Sequence, residues 1–158
     1  MFKAKWLTCA LAVAAMLAVP PVAMARPAAP GPVEIAKQCI EHVTDHADRC
    51  VAFHRAASAR AAERVSALVE AGHLQAARRV AQAGVKGIRK RSAACVREIA
   101  QDTRQCARLL RRMGAEGLAQ RVRQAGEFQV ERVRTSRKRA VLRILRELPN
   151  AEPPASEG

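Results

Sequence analysis

Cys39, His42, His46, Cys50 and His54 follow one another at intervals of three and four residues, the spacing that stacks side chains on one face of a helix. Imidazole and thiolate donors at that spacing suit zinc or copper, so His42, His46, Cys50 and His54 form one candidate metal-binding row, which Cys95 or Cys106 could complete. The row lacks the His-Glu-x-x-His pattern of a hydrolytic metal site. His54 also stands four residues before Ser58, within reach on a helix, but nothing supplies an orienting acid or an oxyanion hole. Ser58, Ser66, Ser92 and Ser136 lie in helical or arginine-rich surroundings without a nucleophile-elbow context. Gly84-Val-Lys-Gly87 and Gly114-Ala-Glu-Gly117 lack the strand and glycine pattern of a phosphate loop. The reading is therefore of a protein that is not an enzyme and carries no cofactor.

The same cysteines have a second use. Cys39 and Cys50 stand eleven apart, Cys95 and Cys106 stand eleven apart, and the pairs 39/106 and 50/95 both sum to 145. Eleven residues make just over three helical turns and rise about 16 Å, so each pair lies on one face and cannot bond within its own helix. Partners on antiparallel helices sum to a constant, and 145 places the turn at 72 to 73, where Gly72 stands. This favours disulfides Cys39–Cys106 and Cys50–Cys95, with Ala61 opposite Gly84, Ser58 opposite Gly87 and Phe53 opposite Ser92. Spacing alone leaves open the parallel alternative, Cys39 with Cys95 and Cys50 with Cys106.

Paired cysteines require an oxidising compartment, and the N-terminus supplies a route to one. Lys3 and Lys5 precede an apolar run from Leu7 to Val19, and Ala23-Met24-Ala25 forms a small-residue cleavage site, so residues 1–25 read as a signal peptide. The run is shorter than a spanning helix needs, and no later segment approaches that length. The expected location is periplasmic or extracellular. Cys9 would leave with the peptide.

The elements that must position these residues are helical. Residues 26–33 read as a flexible leader, 34–148 as one helical domain, and 149–158 as a disordered tail rich in Pro, Glu and Ser. Within the domain, apolar and small residues at three-and-four spacing predict helices over 34–71 and 74–113, the hairpin, and further helices over 118–148. Leu118, Val122 and Ala125 suggest a short helix, and Val130 to Leu148 a longer final one, so a four-helix arrangement is one possible packing. Gly84, Gly87 and Ser92 weaken the second helix, and a bend there is an open option. Ala71-Gly72-His73-Leu74-Gln75 echoes Ala125-Gly126-Glu127-Phe128-Gln129, through duplication or through shared composition. The fold class is all-α, a disulfide-braced antiparallel helical hairpin with additional C-terminal helices.

Charge then supplies the leading functional reading. The chain carries 28 Lys and Arg against 14 Asp and Glu, a formal +14. Lys86, Arg89, Lys90 and Arg91 make one dense patch, and Arg132, Arg134, Arg137, Lys138, Arg139, Arg143 and Arg146 a longer one. Such faces attract anions at long range, and arginine adds forked hydrogen bonds to phosphate or carboxylate. The expected partners are an anionic envelope surface, a polyanion or an acidic protein. Sequence-specific nucleic-acid recognition is not expected, because no reading motif is present and only Phe53 and Phe128 remain beyond the signal peptide for stacking. The alternative is a structural or chaperone-like adaptor, in which the apolar stripe of 118–148 pairs with a second copy.

Overall fold

The computed structural model describes residues 29–149. The expected signal peptide, the first three residues of the leader and all but the first residue of the tail lie outside them. The described chain is a bundle of three helices, α1 (Pro32–Glu70), α2 (Leu74–Arg112) and α3 (Glu116–Leu145), each packed along both of the others. At 1.5 Å per residue, α1 and α2 are rods of about 58 Å. Pro32 opens α1, where a missing backbone N–H costs nothing.

Two turns of one design join the rods. Gly72 and Gly114 both have a left-handed backbone, with φ of 75° and 74°. Around the first, Gly72 N–H donates to Val69 O and His73 N–H to Leu68 O; around the second, Gly114 N–H donates to Arg111 O and Ala115 N–H to Leu110 O. This six-residue closure satisfies the last carbonyls of each helix and requires a residue that tolerates positive φ. The true echo of the Gly72 turn is therefore the Gly114 turn. Gly126, which the sequence suggested as its counterpart, lies inside α3.

Both disulfides join α1 to α2 in the antiparallel register: Cys39–Cys106 with Cα atoms 6.2 Å apart and Cys50–Cys95 with Cα atoms 6.3 Å apart. The eleven-residue interval extends beyond the cysteines. In α1 the inward positions run Ala36, Cys39, Val43, then Ala47, Cys50, His54, then Ser58, Ala61, Val65; in α2, Ala77, Ile88, Ile99 and Leu110 form one row, and Gly84, Cys95 and Cys106 another. A 3-4-4 spacing returns to the same face every three turns, with a drift of only about 20°. Ala61 and Gly84 thus occupy the third rung of the cysteine ladder. A Cβ on Gly84 would meet the Ala61 Cβ at 3.0 Å and Ile144 Cδ1 at 3.3 Å, so small residues bring all three helices close where no cross-link exists.

Several finer expectations give way. The short helix and longer helix expected over 118–148 are one continuous α3, and the bundle has three helices among the described residues, not four. Polar residues such as Gln129 and Ser136 interrupt the apolar pattern of α3 without interrupting its backbone. Likewise α2 runs through Gly84, Gly87 and Ser92 without a break, because packing on two neighbours outweighs roughly 1 kcal/mol of helix propensity per glycine. A Cβ on Gly87 would meet nothing within 4 Å, so close approach explains Gly84 but not Gly87. Phe53 is 38% exposed rather than packed on the buried Ser92, since the inward slot at that level belongs to His54. The stripe of α3 expected to pair with a second copy is consumed within the chain, with Val122, Val133 and Ile144 fully buried.

The core divides into three apolar clusters. The first, around Cys39, Leu110 and Val122, lies toward the Gly114 turn; the second, around Cys50, Cys95, Ile99 and Val133, is central; the third, around Val65, Ile88 and Ile144, lies toward the Gly72 turn. Polar layers separate them. Between the first and second, Gln129 Nε2 donates to Thr44 Oγ1 at 3.2 Å and Thr103 Oγ1 donates to Ile99 O at 2.7 Å, with Gly126 so close to Thr103 that a Cβ there would come 2.9 Å from the Thr103 Cβ. Between the second and third lie His54, Ser58 and Ser92, all buried.

Candidate functional site

Three groups of side chains carry chemistry, and the bundle separates them by level. The first is the His54 layer. His54 takes the position on α1 that Val43 and Val65 take one repeat away on either side, and it is wholly buried. Its Nδ1 lies 3.3 Å from Ser136 Oγ of α3, while Ser58 Oγ instead donates to Arg55 O. Neither His54 Nε2 nor Ser92 Oγ has a hydrogen-bond partner. Burial first, then the charges of Arg137 and Arg91, hold the imidazole below its ordinary pKa. The result is a neutral histidine inside a cationic shell, hydrogen-bonded to a serine but with no carboxylate to orient it.

The second group is basic. Above the Cys50–Cys95 rung, residues 32–50 and 95–133 hold 10 Lys and Arg and 9 Asp and Glu; below it, residues 51–94 and 134–148 hold 15 Lys and Arg and 3 Asp and Glu. All eleven expected anion-binding residues except Arg132 fall in the lower half. Lys86, Arg89, Lys90 and Arg91 lie exposed on α2, and Arg132, Arg134, Lys138, Arg139 and Arg143 lie exposed on α3, with Arg146 exposed just past its end and Arg137 half-buried beneath them. Only Arg132, 2.6 Å from Asp48, and Arg134, 3.6 Å from Glu131, make an ion pair among the described residues. The remaining nine have none. Between α1 and α3 a groove of about 470 Å³ gathers Arg55, Arg132, Arg139 and Arg143 with Ser58 and Ser136. Arg55 is the residue that the reading of dense patches missed, because it stands alone in sequence and joins the others only across the helix pair.

The third group is the metal candidate, and the structure redistributes it. His42, His46, Cys50 and His54 do share one side of α1, but Cys50 is spent in a disulfide and His54 points into the core. What faces His42 and His46 instead is a pair of carboxylates on α2. His42 Nε2 lies 3.3 Å from Asp102 Oδ2, His46 Nε2 lies 2.9 Å from Glu98 Oε2, and His46 Nδ1 lies 3.6 Å from Asp102 Oδ2. The pairs 42/102 and 46/98 each sum to 144, one less than the disulfides, so the cystine register itself could have found them.

Comparison with protein-family models, with curated proteins and with solved structures found no match, and the geometry alone carries the functional reading.

Proposed function

We propose that the protein is exported and acts without catalysis, binding an anionic envelope surface or extended polyanion through its lower half. The observation that carries this reading is the charge asymmetry of the bundle: the lower half holds 15 Lys and Arg against 3 Asp and Glu, and the upper half 10 against 9. A face whose carboxylates match its basic residues is nearly neutral at a distance, whereas three acidic residues cannot balance fifteen basic ones. An unneutralised charge of this size attracts polyanions over a Debye length and weakens with salt. Export is supported by the cleavable-leader pattern of residues 1–25 and by two disulfides, which persist in oxidising compartments. No helix among the described residues is long and apolar enough to cross a membrane.

The groove between α1 and α3 gives the surface a place of engagement. Its guanidinium groups offer forked donors to phosphate or carboxylate oxygens, four of them against the single carboxylate of Glu131. Cosedimentation with phosphatidylglycerol vesicles, against phosphatidylcholine vesicles and with soluble polyphosphate as competitor, tests the proposal. Capture by the anionic vesicles that declines with salt and is lost on replacing Arg137, Lys138, Arg139 and Arg143 with glutamine is the expected result. Capture unchanged by those replacements, with helicity intact, would overturn it.

A further inference from the structure

The His42, His46, Glu98 and Asp102 cluster lies in the other half of the molecule and has no part in the proposed anion surface. It sits midway between the two disulfides, each about one and a half to two turns away along the helices. Those cystines already fix α1 against α2 on both sides of it. The four side chains are thus not needed as a clamp, and their geometry resembles a ligand set more closely than a ladder of ion pairs. One Asp102 oxygen lies 3.3 Å from His42 Nε2 and 3.6 Å from His46 Nδ1, and the three donors fall within 4.8 Å of one another. Donors bound to a tetrahedral zinc at about 2.0–2.1 Å stand about 3.3 Å apart. The remaining ring nitrogen of His46 addresses Glu98 at 2.9 Å. That is the arrangement in which a ligating histidine gives its other N–H to a carboxylate, fixing the tautomer and the ring plane.

We propose that His42 Nε2, His46 Nδ1 and an Asp102 carboxylate oxygen bind one zinc-class divalent ion, with Glu98 positioning His46 through its Nε2–H. Two imidazoles and one carboxylate form a borderline donor set suited to zinc, copper(II) or nickel rather than to calcium or magnesium. Three protein ligands leave a fourth position for water, and the exposed His42 and half-buried Asp102 place it at the solvent edge of the helix pair. Nearby acidic residues favour a cation here. Asp45 lies between the two histidines in sequence, and the α1 segment from Glu34 to Cys50 has four acidic residues against two basic ones. Affinity rests on preorganisation: the disulfides hold the two ligand-bearing helices in register before the ion arrives.

The test uses untagged protein beginning at Arg26 with both disulfides formed, titrated with zinc by calorimetry and then measured by X-ray absorption. One equivalent of zinc with a nitrogen and oxygen shell is expected. Glu98→Gln should weaken binding about 10- to 100-fold, His42→Ala and Asp102→Asn should weaken it further, and His73→Ala should leave it unchanged. His42 and Glu98 are exposed, so these variants keep the fold, which circular dichroism checks. Any of three results would overturn the proposal: no stoichiometric binding, binding undiminished in the His42→Ala, Asp102→Asn double variant, or sulfur in the shell. Binding that requires prior reduction would overturn it too, by assigning the ion to the cysteines.

Discussion

The Cys50–Cys95 rung divides the bundle into two halves that share one packing repeat and differ in nearly everything else. Above it, the Cys39–Cys106 cystine joins α1 to α2 a second time, and basic and acidic residues number 10 and 9, the rung itself included. Below it there is no cross-link, the third rung is the small pair Ala61 and Gly84, and basic and acidic residues number 15 and 3. Like charges repel along the whole lower half, and that repulsion opposes compaction. A chain with so few aromatic residues has little surplus core to oppose it, so the cystines supply the stability that the basic half spends. On the proposed function, an anion bound there would neutralise the repulsion and stabilise the fold by mass action.

The largest test of this contrast removes its boundary. Replacing Cys50 and Cys95 with alanine is expected to lower stability by about 2–4 kcal/mol in denaturant titration, because the bond closes a loop of 45 residues. Hydrogen exchange on the same variant should show 51–94 and 134–148 losing more protection than 32–49 and 96–112. Equal loss in both halves would mean that the lower half is no weaker than the upper.

Next come the glycines, which test packing level by level. Gly126→Ala forces a methyl group against Thr103, whose hydroxyl is tied to the backbone, and is expected to cost about 1–3 kcal/mol even after its gain in helix propensity. Gly87→Ala meets open space and is expected to stabilise by about 0.5–1 kcal/mol. Thermal melts of the two variants should move in opposite directions.

A smaller effect tests the polar layer at the boundary. His54 is neutral in the fold because burial, Arg137 and Arg91 depress its pKa, whereas in the unfolded chain it titrates near its ordinary value of about 6.5. Above that pH the histidine adds no pH dependence. As pH falls below it, the unfolded chain takes up the proton first, and stability should decline by up to about 1.4 kcal/mol per pH unit until the folded-state pKa is reached. The comparison is with His54→Leu, which should lack this component between pH 6.5 and 5 while the other titrating groups cancel. Parallel pH profiles for the two proteins would contradict it.

Much of the braced half was legible before any coordinates. Four cysteines on two helical faces, with a glycine at the midpoint of their register, favour the pairing and the turn together, and the structure has both. The groups that stayed hidden are those whose partners lie across helices. Glu98 and Asp102 were visible as the two acids within an arginine-rich stretch, but their meeting with His46 and His42 follows only from applying the disulfide register to charged residues. Gly126 resembled the Gly72 turn only through the echo of residues 71–75 in 125–129; its actual role, admitting Thr103, depends on which face of α3 meets α2. The continuity of α3 was obscured for the same reason, since Gln129 and Ser136 satisfy partners on α1 that one helix's own pattern does not reveal.

The claim that function resides in the unbraced half, and not in net charge as such, is tested most directly by two variants of equal charge. One replaces Arg137, Lys138, Arg139 and Arg143 with glutamine below the rung; the other replaces Arg104, Arg108, Arg112 and Arg123, all exposed, with glutamine above it. Polyphosphate affinity measured across a salt series is expected to collapse, with a shallower salt slope, in the first variant and to change little in the second. Equal losses in the two would show that any cationic face of the bundle serves, and would contradict the account.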